Sequence, residues 1–184
     1  MKKLSLTLLL SSLFCSLLFS QDLLWQTRLC SFFDNIEFAG SELKVPQTMS
    51  GIMIDPEVGF KWDSVHSIVG GVNLMHEFGS ENIFDRTYPT AYYKFFKEPY
   101  LFIMGAFPRS MALEKYSRMF FQDSVSYYRP NINCMFFQYG REWKYLNLWL
   151  DWTGRQSEEV REAFFVGLSG RYNLGIFYAQ HFSY

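Results

Sequence analysis

Residues 146–155 read "LNLWLDWTGR". Leu146, Leu148, Leu150 and Trp152 share one parity, and Asn147, Trp149, Asp151 and Thr153 share the other. Successive side chains of a strand point to opposite faces, so this is the pattern of a two-faced strand. It constrains the fold more than any other feature because it recurs along the chain while helical periodicity is scarce. Strand-like segments fall at about 23–39, 48–60, 66–78, 88–96, 99–107, 126–140, 144–152, 161–172 and 174–184, separated by turn signals. Pro56 lacks a donor and predicts a bulge or strand end inside the second segment.

Alternation alone leaves open what the apolar faces touch. They could line the core of a soluble sandwich or meet lipid around a barrel. The connections favour lipid. They run about 40–47, 61–65, 79–87, 97–98, 108–125, 141–143, 153–160 and a tight turn near 173, long and short by turns. Outer-membrane barrels sort their connections this way, with short periplasmic turns and longer external loops. Composition agrees: aromatics make up 20% of the chain, yet the mean hydropathy is only −0.06. A barrel needs only every second wall residue to be apolar, and its Trp and Tyr gather in girdles. Within the longest connection, residues 111–120 read either as a short helix that constricts the lumen or caps the outside, or as an ordinary surface loop.

The first residues, "MKKLSLTLLLSSLFCSLLFSQ", place Lys2 and Lys3 ahead of an uncharged apolar stretch. This is the layout of a secretory signal peptide, with the cut placed after Ser20. Residues 21–184 then form one β-barrel domain that retains Cys30 and Cys134, with no metal-ligand spacing. The net charge of −1 argues against a nucleic-acid partner. The expected fold is all-β: an antiparallel, up-and-down outer-membrane-type barrel or partial barrel of about eight or nine strands. Nine is awkward, because single-chain bacterial barrels usually have an even number.

Several stretches carry a resemblance: "QTMSGIMIDPEVGFKWDSVHSIVGG", "FGS…DRTYPTAYYKF", "GAFPRS", "SYYRPNIN" and "NLWLDWTGRQSEEVREAFFVGLSGRYNLGIFYAQH". Together they resemble a family of exported porin-like outer-membrane barrels of Gram-negative bacteria. The resemblance implies a non-enzymatic barrel in the outer membrane, and a chain that is the amino-terminal portion or a short form of a longer one.

On parity, the lumen candidates are Asn73, Glu77, Asn147, Trp149, Asp151, Arg161 and Arg171. They would bind or pass a small hydrophilic solute, a sugar among the options, by replacing part of its hydration shell. Trp149 beside Asn147 and Asp151 is the best sugar platform; Trp25, Trp62, Trp143 and Trp152 read as interface anchors. Glu77 and Asp151 could pair as hydrolytic carboxylates, but a polar lumen balanced by Arg161 and Arg171 explains them as well. The three histidines have no ligand spacing, so neither metal nor cofactor is expected. "GLSGRYNLG" (167–175) lies in strand pattern, so Gly167 and Gly170 read as room for bulky neighbours or a bend. The charges of "GRQSEEVRE" (154–162) fit a solvated external loop.

Other expected partners are outer-membrane lipid and the export and barrel-assembly machinery. Two alternatives remain. One is a secreted glycan-binding β-sandwich. The other is a small barrel that modifies lipid with a Ser–His–acid cluster at its external rim, for which His181 and Ser183 share one parity near a strand end.

Overall fold

A computed structural model describes residues 21–37, 46–112, 123–142 and 144–183. The expected signal peptide and the anchor Trp143 lie outside these residues, as does most of the helix expected at 111–120. Nine strands follow one another: β1 (Gln21–Ile36), β2 (Gln47–Trp62), β3 (His66–Glu77), β4 (Arg86–Lys97), β5 (Tyr100–Pro108), β6 (Asn131–Arg141), β7 (Lys144–Gly154), β8 (Ala163–Leu174) and β9 (Phe177–Ser183). Among the described residues, two short helices, α1 (Arg109–Ala112) and α2 (Asp123–Tyr128), sit between β5 and β6. Each strand pairs antiparallel with the next in one sheet of order β1 to β9. The sheet is not closed. Eight antiparallel pairings leave its two edges, β1 and β9, running in the same direction.

The long connections all lie at one end and the tight turns at the other. Asp63 and Ser64 have φ of 53° and 55°, the positive values of a type I′ turn, within the three-residue connection 63–65 between β2 and β3. Gly175, at φ 83°, makes the last turn. Pro56 neither bulges nor ends β2. Ile54 pairs with Leu74 and Glu57 with Gly71 in unchanged register, and only the two rungs between are missing. The sixth strand begins at Asn131 rather than 126, because residues 123–128 coil into α2. Pro130, with no donor, separates helix from strand.

The apolar parities of β7 and β8 face outward. Leu146, Leu148, Phe164 and Val166 are 38%, 48%, 56% and 47% exposed, and Leu29, Ile68 and Met104 share that outer surface. Toward the turn end this face carries a ring of stacked and tilted aromatics: Trp62, His66 and Tyr93, with Phe95, Tyr100, Phe137 and Tyr139. An apolar band bordered by aromatics is the outer surface of a membrane barrel. Among the described residues no helix is long and apolar enough to cross a membrane.

The concave face is filled. Ile103, Phe107, Ile132, Phe136 and Trp149 are fully buried in one apolar cluster with Val69 and Tyr92. Phe32, Met49, Met53 and Met75 form a second. The long β5–β6 connection folds inward onto both. Met111 of α1 packs on the first cluster, and Tyr127 and Tyr128 of α2 pack on the second. Tyr127 stacks on Phe32 with ring centroids 4.0 Å apart. Of the placements left open for this connection, its described ends take the inward one, through α1 and α2.

Candidate functional site

The seven parity-derived residues do not converge on one site. Asn73, Asn147, Trp149 and Asp151 are buried on the concave face. Glu77 is half-buried at its loop end, and Arg171 is half-buried near its turn end. Arg161 precedes β8 in an exposed loop, because the strand starts two residues later, at Ala163.

The concave polar groups are instead spent on one another. Asp151 accepts from the buried Arg109 guanidinium and, at 2.9 Å, from the backbone N–H of Asn133. That leaves it unsuited to partner Glu77 as a hydrolytic carboxylate. Asn73 donates to Asp55, whose carboxylate also meets Arg28 at 3.3 Å. Arg28 reaches Glu57 at 3.0 Å, and the Tyr92 hydroxyl donates to the same carboxylate at 3.2 Å. Arg171 donates to Gln180 at 3.1 Å. Buried charges need such partners, since an unpaired one costs several kcal/mol. Trp149 offers no face to a sugar. It is fully buried, and its indole occupies the space beside Gly167.

A Ser, His and acid do meet at the loop end, in a segment whose roles composition alone did not separate. Asp85 accepts from the Ser80 hydroxyl, from Asn82 Nδ2 at 3.3 Å and from the backbone N–H of Glu77. His76 lies 3.8 Å from it. The Ser80 hydrogen bond, followed by that of Glu77 N–H, holds the Asp85 carboxyl below its ordinary 3.8. The connectivity is wrong for catalysis, because the serine gives its proton to the acid and not to the imidazole. This is an Asp-centred loop staple, and "GSENIFD" carries its sequence signal in Ser80, Asn82 and Asp85.

His181 and Ser183 lie elsewhere. In β9, Phe182 pairs with Ser169 and Gln180 with Arg171, which are concave-face residues. Phe182 and Tyr178 therefore point inward, the reverse of the face expected for the apolar parity. His181 and Ser183 point outward, toward the apolar wall. The cause is register: the Gly175 turn sets β9 against β8 in the phase that overrides its own alternation. His181 pairs with Gly170 and stacks on Tyr172, with centroids 5.8 Å apart. A Cβ at Gly170 would sit 2.9 Å from His181 Cε1, so the glycine makes room for the ring. Ser183 donates to the Leu168 carbonyl at 3.0 Å. The pair sits within the wall, since Ser183 pairs with Leu168 and Leu168 with Leu148, and not at the rim. Among the described residues no group of three His, Cys, Asp or Glu is placed to hold a metal.

No curated protein matches the chain, and no solved structure does. One family model matches residues 16–181, nearly the whole length. It is not a porin family, so the porin-like resemblance is corrected. The expectations of solute passage and of a chain without enzymatic activity fall with it. The filled concave face agrees, because Trp149, Phe107 and Phe136 stand where a solute path would run. Outer-membrane lipid stays as a partner; neither a sugar solute nor the assembly machinery gains support. By the match over residues 16–181, the chain belongs to the Lipid A 3'-O-deacylase-type family.

Proposed function

We propose that the protein is an outer-membrane esterase that removes an ester-linked acyl chain from lipid A, with Ser183 as nucleophile and His181 as general base. Family membership supports the reaction class, and the outward apolar band supports the location. The observation that carries the site is the β9 register, which turns both side chains toward lipid. An acyl ester there needs no passage through the filled interior.

The chemistry follows from the residue types. Ser183 Oγ attacks the acyl carbonyl while His181 takes the hydroxyl proton. The imidazolium returns that proton to the departing sugar oxygen, and water then releases the fatty acid from Ser183 by the same steps. Ser183 must first give up its hydrogen bond to Leu168 O, and the imidazole its stack on Tyr172, before the two side chains can meet. Ser183 lies level with Leu168, five positions from the loop-end residue Ala163, so the ester must reach down the wall to that level.

The test is release of fatty acid from lipid A vesicles. Ser183→Ala and His181→Asn should each lower kcat by about 10³-fold or more. Both side chains face outward, so both variants should keep their resistance to protease. Ser80→Ala should retain activity. Full activity in Ser183→Ala, or loss in Ser80→Ala alone, would overturn the assignment.

A further inference from the structure

A second feature of the outer wall lies on β1–β3, far in strand order from β9. A cavity of about 300 Å³ opens there, lined by Trp25, Thr27, Pro56, Val58 and Gly70 together with Gln26, Glu57 and Gly71 of the other parity. The first five sit on the outward parity, since Gln26 and Glu57 are engaged in concave hydrogen bonds. Trp25 and Val58 stand up on its flanks, 79% and 63% exposed. Gly70 is its floor. A Cβ added there meets nothing nearer than Thr90 O at 3.9 Å, so the space above it is open. Pro56 lowers the wall further where the two ladder rungs to β3 are missing.

We propose that this groove binds one acyl chain of a membrane lipid. Two observations choose that occupant. The groove lies inside the outward apolar band, flanked by exposed Leu23, Leu29, Phe60 and Ile68. The outward positions of these strands around it, from Leu23 to Leu29, Ile54 to Phe60 and Ile68 to Leu74, carry no charge. No headgroup therefore finds a counter-charge, whereas hydrocarbon finds continuous apolar contact. A groove walled by a rigid indole holds a chain against exchange with bulk lipid better than a convex wall does, because it contacts the chain on three sides. The inference rests on the lipid-facing reading of this surface but not on Ser183 as nucleophile.

The test uses full-length Ser183→Ala protein in phosphatidylethanolamine vesicles doped with a lipid carrying a diazirine in its acyl chain. After irradiation, adducts are mapped by mass spectrometry. Adducts at Trp25, Thr27 and Val58 should exceed those at Leu148 and Phe164 by about tenfold, corresponding to roughly 1.4 kcal/mol of preference. Gly70→Leu puts a side chain into the groove, with a Cβ that meets nothing nearer than 3.9 Å, and should bring the two sets level. Equal labelling in the unsubstituted groove overturns the proposal, as does cross-linking of two copies through these residues. Enriched labelling beside an inactive wild-type enzyme would refute the esterase reading alone. Uniform labelling beside an active enzyme would refute the groove alone.

Discussion

Replacing Gly167 with alanine tests how the interior is built. Ile103, Phe136, Trp149 and Gly167 pair in succession across β5 to β8 and form one row of the concave face. A Cβ at Gly167 would fall within the van der Waals envelope of the Trp149 indole, against Cε2, Cζ2 and Nε1. The ring is rigid and fully buried, so it cannot swing away as the end of a flexible chain would. Overpacking a core typically costs about 1–3 kcal/mol, and this contact belongs at the upper end, about 3 kcal/mol. Trp149→Leu removes the ring atoms that clash. The double variant Gly167→Ala/Trp149→Leu should therefore be more stable than the sum of its parts, with a coupling of about 1–3 kcal/mol. Urea unfolding of vesicle-inserted protein, followed by protease resistance, measures all four corners of the cycle. Gly167→Ala within about 0.5 kcal/mol of wild type, or strict additivity, would show that the row is not close-packed as described.

Arg109→Ala leaves the buried Asp151 carboxylate without its counter-charge and should cost about 3–5 kcal/mol, with new cleavage between residues 109 and 130 in limited proteolysis. Leu148→Arg puts a charge in the apolar band and should cost about 2–4 kcal/mol in a bilayer, read from the same urea unfolding. Asp85 titrates below its ordinary value of 3.8, so its staple is fully formed above that pH and is lost as the pH falls through the lower folded value. Amide exchange across 78–85 should be slow at pH 7 and at pH 3.8 and, corrected for intrinsic rates, become fast only as the pH falls through the lowered folded value; Asp85→Asn should abolish this pH dependence.

The strands were legible because a wall with two different faces forces period-two alternation, as at Leu146–Trp152. The sorted connections were legible for the same reason. Whether the concave face held water or side chains was not. Trp149, Asn147 and Asp151 share a parity in either case, and only the inward fold of α1 and α2 brings Arg109 and Met111 over them. That packing depends on contacts far apart in sequence, which local pattern does not encode. The face of β9 misled because its own apolar residues are the inward ones; register with β8, set by a turn, outweighed composition. His181 and Ser183 were visible as a same-parity pair, but not their height on the wall. The family was missed because the quoted segments describe a barrel in general, and no short motif in them is tied to a reaction.

The inward-folded β5–β6 connection reverses the usual advice for engineering a barrel. The longest loop is normally where a tag, a fluorophore or an epitope is inserted. Here the ends of that loop carry Arg109 and Tyr127, which hold the inside together through Asp151 and Phe32. Cargo belongs instead between residues 155 and 160, where every side chain is exposed.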